Sequence, residues 1–269
     1  MLKLIRIYWC IGSKNSFKYK DYMTRIIILA AGNGTRMSSD QPKVLVPLSG
    51  RPMIKYLLES ILASGVDSHP IIVVSPANQD IIKKELDDFP LNYVVQAQQL
   101  GTGNAVASAM DSLGEDVNRV LVLYGDHPFL KAESIIKIAS SNPQPLAMMT
   151  TELPDFDDWR HNFYHWGRII RDENKRIVKI AEFKDASPEE IIVTEVNPAV
   201  MCFDRDWLAQ HLSNIDNHNN SKEYYLTDLV KIAFNEEREI LSIGIEPHEA
   251  MGINSKDELE IAERLLTAQ

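Results

Sequence analysis

The sequence lacks two features that would place the protein in a membrane or in an oxidising compartment. No apolar run reaches the ~18 residues that a membrane-spanning helix requires. Only two cysteines occur among 269 residues, Cys10 and Cys202, and they lie far apart in unlike contexts. With 45% hydrophobic and 25% charged residues, the composition is that of a globular protein whose core needs no disulfide bonds. The sequence therefore predicts a cytoplasmic protein with one large α/β domain or two small ones.

An excess of positive charge is also missing, because the formal net charge is −10. This charge argues against a protein that binds nucleic acid or an anionic membrane. Residues 1–22 differ from the rest, being basic and partly apolar. Arg6 interrupts their short apolar stretch and no signal-peptide cleavage site follows, so we expect a disordered or dispensable extension, or a start codon assigned too early. We expect residues 23–269 to form the functional domain.

In the first half of the chain, apolar and β-branched runs alternate with stretches that suit helices. The predicted strands are 26–30, 71–74, 93–95 and 120–124, and the predicted helices are 53–63, 80–86 and 104–112. This alternation predicts an α/β fold with a doubly wound, mostly parallel sheet and right-handed crossovers. In such sheets ligands bind at the carboxyl ends of the strands, where the glycine-containing turn after the first strand should lie.

The second half has a different pattern. Residues 167–180 predict a β-hairpin with a polar turn at 172–175. Further expected elements are a strand segment over 191–204, a surface loop over 211–222, a helix over 227–235, a final inner strand over 240–245 and a closing helix over 257–267.

The first candidate site follows the first predicted strand, where the sequence reads LAAGNGTRM and then, a few residues later, Pro-Lys. Gly32 and Gly34 would let backbone N–H groups approach phosphate oxygens, and Arg36 and Lys43 would add positive charge. The segment is not a Walker loop, and Met37 replaces the third glycine of a dinucleotide-binding motif. The alternative is an ordinary tight turn with two exposed cations, which the Thr-Arg and Pro-Lys neighbours disfavour.

The second candidate site is the segment QAQQLGTGNA, residues 96–105, between a predicted strand and a predicted helix. The primary amide of Gln96 offers both a donor and an acceptor, which suits the N3–H and O4 edge of uracil. The alternative is a polar loop whose Thr102 caps the following helix.

The third candidate site is Asp126 in the segment YGDHP, at the end of a buried strand. Magnesium prefers one or two protein oxygens together with substrate phosphates and water, so this carboxylate is a natural ligand for it. The alternative is an aspartate that only forms a turn near a proline. This motif alone does not decide between the two.

Together these segments resemble those of the sugar-nucleotide pyrophosphorylases. The similarity is greatest to the uridyltransferase half of the bacterial bifunctional N-acetylglucosamine-1-phosphate uridyltransferases/glucosamine-1-phosphate acetyltransferases. Later segments agree in order, namely GRI at 167–169, EFKDA at 182–186, EVN at 195–197, EYYLTD at 223–228 and GINS at 252–255. The resemblance covers the chain from about residue 24 to the C-terminal helix.

The resemblance implies Mg²⁺-dependent transfer of a uridylyl group from UTP to N-acetylglucosamine 1-phosphate in the cytoplasm, as a step towards cell-wall precursors. It also implies a mixed β extension on the sugar side of the sheet. The implied nucleotide-binding residues are Leu29, Ala30, Ala31, Gly32, Gly34, Gln96, Gly101 and Thr102. The implied catalytic residues are Arg36 and Lys43, the metal ligands Asp126 and Asn254, and the sugar-binding residues Gly167, Glu182 and Asn197.

Alternatives remain open within and beyond this class. The substrates could be another sugar 1-phosphate or another nucleotide, such as dTTP or CTP, because Pro198 and Ala199 stand where the family has a small hydroxyl residue and then glycine. The chain could instead be a non-catalytic nucleotide-sugar-binding domain, although the retained charged residues argue against this. Hexapeptide repeats do not occur, so we expect no acetyl transfer by this chain. His161 and His165 lack the glutamate of a zinc motif and are expected to pack in a loop.

Overall fold

The computed structural model describes residues 23–32, 37, 41–141 and 145–267. The extension expected over residues 1–22, and the predicted site residues Gly34 and Arg36, lie outside the described residues. The domain boundary expected after residue 22 therefore stays a prediction. Among the described residues, no helix is both long enough and apolar enough to cross a membrane.

The strands are β1 (Met23–Leu29), β2 (Pro47–Leu48), β3 (Arg51–Pro52), β4 (Ile71–Val74), β5 (Asn92–Val95), β6 (Val117–Tyr124), β7 (Pro145–Glu152), β8 (Arg168–Arg171), β9 (Ile177–Ala181), β10 (Glu195–Val196), β11 (Met201–Asp204) and β12 (Glu239–Gly244).

The α-helices are α1 (Met53–Ser64), α2 (Gln79–Glu85), α3 (Thr102–Ala109), α4 (Ala132–Ser140), α5 (Pro188–Ile191), α6 (Arg205–His211), α7 (Asp228–Asn235), α8 (Pro247–Ala250) and α9 (Lys256–Thr267). Short 3₁₀ turns cover Lys43–Leu45, Met110–Ser112, Asp158–Phe163 and Leu212–Asn214.

The large sheet has the order β5-β4-β1-β6-β11-β7-β10-β8-β9, with β12 paired to β7. The first four strands in this order are parallel, whereas β11 runs antiparallel between β6 and β7, and β10, β8 and β9 continue in antiparallel pairs. The predicted α/β class, with a mostly parallel sheet and a mixed extension, is confirmed.

Helices cover both faces of the parallel half, because alternate residues of its strands point to opposite sides. On one face Ile27 packs in a core with residues of α3, α6 and α7. On the other face Ile26 and Ile28 pack with residues of α1, α2 and α4. Each of these isoleucines is fully buried, and burying such a side chain contributes about 1.5–3 kcal/mol. The continuous apolar run of β1 is thus explained by burial on both faces.

Two expectations about the strands are wrong in detail. β12 is half-exposed and pairs with β7 rather than lying inside the sheet. The segment over 191–204 is not one strand, because it divides into β10 and β11 around a break at Ala199. β7 was not predicted from the sequence. This strand begins at Pro145 after a proline-containing stretch, and proline is unusual within strands. The hairpin of β8 and β9 is confirmed.

Candidate active site

The carboxyl ends of β1 and β6 lie side by side, because the two strands pair in parallel with Leu29 opposite Tyr124. The backbone N–H of Gly125 donates to the carbonyl oxygen of Leu29 at 3.0 Å and joins the two strand ends. A Cβ atom on Gly125 would lie 2.9 Å from Val44 Cγ1, so the close approach favours glycine. The sheet thereby brings Asp126 to the edge where the turn after β1 begins.

Lys43 reaches the same point from the 3₁₀ turn, whose other two residues, Val44 and Leu45, are buried and anchor it. The Lys43 ammonium group donates to Asp126 Oδ2 and, at 3.0 Å, to Asn254 Oδ1. The fold therefore assembles in one place three predicted site residues from widely separated parts of the sequence. One of them is a predicted catalytic residue and the other two are predicted metal ligands.

Asn254 is held in place by backbone contacts just before it. The N–H of Ile253 donates to the carbonyl oxygen of Asp126 at 2.9 Å. Gly252 lies against the ring of His127, and a Cβ atom there would be 2.7 Å from His127 Nε2. These contacts explain why a Gly-Ile-Asn segment, featureless by itself, can direct an amide oxygen towards Asp126.

The side chains of Asp126 and Asn254 fit a magnesium ion. Asp126 is 5% exposed, and its Oδ1 has no hydrogen-bond partner among the described residues. The ring of His127 lies beside Oδ1, with Nδ1 3.7 Å away, too far for a hydrogen bond. A buried carboxylate oxygen with no partner, beside an amide oxygen, is a donor set of the kind that magnesium accepts.

Burial favours the neutral form of Asp126 and by itself would raise its pKa. The adjacent Lys43 ammonium group outweighs this effect, with a smaller contribution from His127, and the pKa of Asp126 falls below its ordinary value. The carboxylate is therefore charged at neutral pH. Burial also lowers the pKa of His127, so its ring is neutral there.

A cavity of about 330 Å³ opens on one side of Asp126. All the predicted nucleotide-binding residues within the described part of the chain line it, together with Lys43. The lining residues are Leu29, Ala30, Ala31, Gly32, Lys43, Val44, Gln96, Gln99, Gly101, Thr102, Ala105, Tyr124, Asp126 and Glu223.

We call this cavity the nucleotide cavity, after the predicted residues that line it. Gln96 is almost fully buried in its wall. Its side-chain nitrogen donates to the carbonyl oxygen of Gly101 at 3.1 Å and to Asn104 Oδ1 at 2.8 Å. Both N–H bonds of the amide are thus used within the protein. The expectation that Gln96 offers a donor as well as an acceptor is therefore too broad, because only its carbonyl oxygen is left to accept from a ligand.

Gly101 and Thr102 join the nucleotide cavity to the segment 223–226. Gly101 has φ 115°, and a Cβ atom there would lie 2.7 Å from both the backbone nitrogen and the backbone oxygen of Tyr224. Thr102 Oγ1 accepts from the backbone N–H of Leu226 at 2.9 Å. The helix α3 has Gly101 in the cap position and no side-chain cap, so the alternative interpretation of Thr102 as a helix cap is wrong.

A second cavity, of about 270 Å³, opens on the other side of Asp126. The predicted sugar-binding residues Gly167, Glu182 and Asn197 all line it. The remaining lining residues are Thr102, Tyr124, Asp126, His127, Asn162, His165, Trp166, Pro198, Ala199, Glu223, Tyr225, Thr227, Asn254 and Glu258. The two cavities share Asp126, Thr102, Tyr124 and Glu223.

We call this second cavity the sugar cavity, after the predicted residues that line it. Hydrogen bonds to neighbouring residues hold Glu182 and Asn197 in place there. Glu182 Oε1 accepts from Thr227 Oγ1 at 2.8 Å, and burial raises the pKa of its carboxyl group. The backbone N–H of Asn197 donates to Gly167 O at 2.9 Å. A Cβ atom on Gly167 would lie 2.7 Å from Ile180 Cγ2 of β9, so glycine lets the backbone that leads into β8 approach β9 closely.

Ala199 has φ 58°, a left-handed conformation that favours glycine. Its backbone N–H donates to Asn197 Oδ1 at 2.9 Å, and this contact orients the Asn197 side chain. The alanine methyl group lines the sugar cavity. A glycine would adopt the backbone conformation of residue 199 with less strain. The alanine that stands here in place of the family's glycine is therefore part of the cavity wall.

His161 and His165 make aromatic contacts of the kind expected for loop packing. The ring of His161 stacks on Tyr164 at 5.6 Å, and that of His165 meets Phe183 edge-on at 4.6 Å. Within the described residues, no group of three or more His, Cys, Asp and Glu side chains is arranged to hold a metal ion. His165 nevertheless lines the sugar cavity.

Several lining residues have no distinct signal in the sequence. Tyr225, Thr227 and Glu223 belong to the resembling EYYLTD segment, but only the backbone hydrogen bonds of Tyr224 with Leu100 and Gly103 bring them to the site. Asn162 and Trp166 lie in an aromatic stretch that looks like loop packing. Their place in the cavity wall depends on contacts between distant segments.

Comparisons with known proteins place the chain in a class. Residues 26–218 match the model of the MobA-like NTP transferase domain. The solved structure of 4-diphosphocytidyl-2C-methyl-D-erythritol synthase from Anaerococcus prevotii superimposes with a TM-score of 0.63 over 91% of this chain and 99% of that one, at 17% identity. Such low identity supports the fold alone. Fold and site define a nucleotidyltransferase.

The chain belongs to the MobA-like NTP transferase domain family. Similar curated proteins include the bifunctional protein GlmU of Caldicellulosiruptor saccharolyticus, 38% identical over 89% of this chain and 51% of that protein. The GlmU of Desulfotalea psychrophila is 35% identical over 92% of this chain and 71% of that protein, and the GlmU of a Psychrobacter species is 39% identical over 88% and 50%. The chain thus spans between about half and 71% of the length of these relatives.

Proposed function

We propose that the protein transfers the uridylyl group of UTP to N-acetylglucosamine 1-phosphate, with Mg²⁺, and releases pyrophosphate. The observation that carries this proposal is the position of Asp126, which lines both cavities and contacts Lys43. A nucleotide in one cavity and a sugar 1-phosphate in the other would meet at this carboxylate. The similarity to the GlmU proteins supports uridine and the amino sugar as the substrates.

In this reaction an oxygen of the sugar phosphate attacks the α-phosphorus of UTP. The new P–O bond forms as the bond to the pyrophosphate oxygen breaks, so the enzyme forms no covalent intermediate. The chain contributes by holding both substrates in line and by stabilising negative charge. Lys43 would contact the phosphates, and Arg36, from its place in the sequence, is proposed to assist it. Held by Asp126 and Asn254, Mg²⁺ would supply charge neutralisation for the phosphate oxygens.

The nucleotide cavity favours a base that presents an N–H group to Gln96. Both amide N–H bonds of Gln96 are donated to Gly101 and Asn104, which leaves the Oε1 atom as the acceptor. Uracil has an N3–H donor at the position where cytosine has an acceptor. A fixed acceptor in a buried wall therefore supports UTP over CTP, because CTP would leave two acceptors facing each other.

The proposal is tested with a panel of UTP, dTTP, CTP and GTP against several sugar 1-phosphates, with pyrophosphate release as the measurement. We expect UTP with N-acetylglucosamine 1-phosphate to have the highest kcat/KM. A panel in which UTP ranks below the other nucleotides with every sugar would refute the base assignment. Tight UTP binding without pyrophosphate release from any pair would identify a non-catalytic binding domain instead.

A further inference from the structure

A loop rich in aromatic residues forms one wall of the sugar cavity. We call residues 155–166, which connect β7 to β8, the aromatic loop. Its rings pack on one another, with Trp159 edge-on to Phe163 at 5.9 Å and Phe163 edge-on to Trp166 at 4.7 Å. Trp166 in turn meets the ring of His127 at 5.9 Å, next to Asp126. The loop is therefore packed against the reacting end of the site.

Arg168 holds this loop in place from beneath. Its side chain is fully buried, and its guanidinium group donates to backbone carbonyl oxygens of Tyr164 at 2.7 Å, of Trp166, and of Ile191 at 3.1 Å. The guanidinium plane also lies 4.7 Å from the centre of the Phe156 ring. The contacts with Tyr164 and Trp166 fix the backbone of the aromatic loop at the cavity wall.

Asn162 is one of the loop residues that line the sugar cavity. Its side-chain nitrogen is buried, yet it has no hydrogen-bond partner among the described residues. A buried donor that lacks an acceptor is unfavourable, and such groups are rare unless a bound molecule accepts the bond. Because the nitrogen itself is enclosed while the residue lines the cavity, the amide would donate to an acceptor on the substrate by turning its N–H towards the cavity.

The charges of the cavity indicate which acceptor this is. Asp126, Glu182, Glu223 and Glu258 line the cavity, and none of its lining residues in the described part of the chain is a lysine or an arginine. Carboxylates accept hydrogen bonds from sugar hydroxyl groups. The carbonyl oxygen of an N-acyl substituent cannot donate and needs an N–H or O–H donor.

We propose that Asn162 determines sugar specificity by donating a hydrogen bond to the acyl carbonyl oxygen of an N-acylated sugar 1-phosphate. This inference rests on the proposed function, since it takes the second cavity to be the sugar site. It adds a recognition residue that lies in the aromatic loop, outside the segments that resemble the family.

The test compares two sugars and three proteins. N-acetylglucosamine 1-phosphate carries the acyl carbonyl group and glucose 1-phosphate does not. The proteins are the unaltered chain, Asn162→Ala and the control His161→Ala, which removes an exposed side chain of the same loop that does not line the cavity. With saturating UTP, kcat/KM is measured for each pair, and calorimetry measures binding of each sugar phosphate without turnover.

We expect Asn162→Ala to lower kcat/KM and affinity for N-acetylglucosamine 1-phosphate by at least ~10-fold, because one hydrogen bond to a buried donor is lost. Glucose 1-phosphate should change by less than ~2-fold, the KM for UTP should stay constant, and His161→Ala should resemble the unaltered chain. Melting temperatures of the variants exclude a folding defect as the cause.

Three results would overturn the inference: an effect below ~2-fold on the acylated sugar, an equal loss on both sugars, or an equal loss in His161→Ala. Failure of the proposed function can be distinguished from failure of this inference, because in that case the unaltered chain would release no pyrophosphate from UTP. The calorimetric comparison then still decides the role of Asn162, and absence of binding by either sugar phosphate would refute it as well.

Discussion

The nucleotide cavity and the sugar cavity meet at Asp126 but are built in different ways. Residues at the ends of neighbouring parallel strands form much of the first, with Leu29, Gly32 and Gly101 in its wall. Side chains from separate segments form the second, including Asn162 of the aromatic loop, Glu182 and Thr227. In the proposed function the first cavity would bind phosphate and base at the edge of the sheet, and the second would bind the sugar through side chains from several segments. Substitutions in one cavity should therefore change the KM of one substrate more than that of the other.

The largest effect is expected at the boundary that both cavities share. Asp126→Ala should lower kcat by at least ~100-fold, because it removes the carboxylate proposed to hold Mg²⁺ where charge develops. Asn254→Ala should be milder and partly rescued by more Mg²⁺. The matched control is Asp111→Ala, which removes an exposed carboxylate outside both cavities. Near-normal turnover of Asp126→Ala and Asn254→Ala at low Mg²⁺ would show that the metal binds elsewhere.

Arg168→Met should affect the sugar cavity more than the nucleotide cavity. Loss of the guanidinium group leaves buried carbonyl oxygens without donors, and we expect the free energy of unfolding to fall by about 3 kcal/mol. The KM for the sugar phosphate should rise more than that for UTP, because the aromatic loop loses its anchor. The control is Arg176→Met, whose side chain is 62% exposed and pairs with Asp172, and which should cost less than ~1 kcal/mol.

Urea unfolding and steady-state kinetics measure both quantities. If the variants at 168 and 176 lose equal stability, Arg168 is not the anchor that its contacts suggest. An equal rise in both KM values would mean that the aromatic loop supports the whole site rather than the sugar cavity.

Ala199→Gly should stabilise the protein by about 1 kcal/mol, because glycine adopts the left-handed conformation of residue 199 without strain. The control Ala107→Gly, at an exposed position inside α3, should destabilise by about the same amount. The Ala199 variant should also change the KM for the sugar phosphate more than that for UTP. If both substitutions destabilise the protein, the backbone at residue 199 is not strained. If the two KM values change equally, Ala199 does not contact the sugar phosphate.

The smallest effect concerns Asp228, beside the sugar-lining Thr227. Burial, with repulsion from Asp216, raises the pKa of Asp228 from 3.8 to about 6. The folded state therefore holds this proton more tightly than the unfolded state, so stability contributed by the protonated group is lost as pH rises from about 4 to 6. Asp228→Asn should be more stable than the unaltered chain at pH 7–8, by less than ~1 kcal/mol because the group is partly exposed.

Unfolding free energies of this variant at pH 4 and pH 8 give the comparison, with Asp111→Asn as the exposed control. The advantage of Asp228→Asn should shrink to a small fraction at pH 4, where Asp228 is protonated in the folded chain and about half protonated in the unfolded one. An advantage that does not depend on pH would mean that the asparagine improves packing rather than removing a charge.

The contrast between the cavities also explains what could be predicted. The strand β1, the helix α1 and the hairpin of β8 and β9 follow from local periodicity and were predicted closely. The strand β7 was not, because its edges contain proline and its position between several partners depends on long-range pairing. The half-exposed β12 was wrongly expected inside the sheet, since an apolar run does not reveal how many neighbours a strand has.

The sequence by itself determined the α/β class and the residues of the nucleotide side. Glycines after a buried strand and a carboxylate at the end of another lie at the same edge of the sheet when those strands are parallel, because carboxyl ends share one edge. Only the tertiary structure decided the contact of Lys43 with Asn254, the burial of both amide donors of Gln96 and the entry of Asn162 into the sugar cavity. These contacts join segments far apart in the chain, and no local pattern specifies which distant atoms will become neighbours.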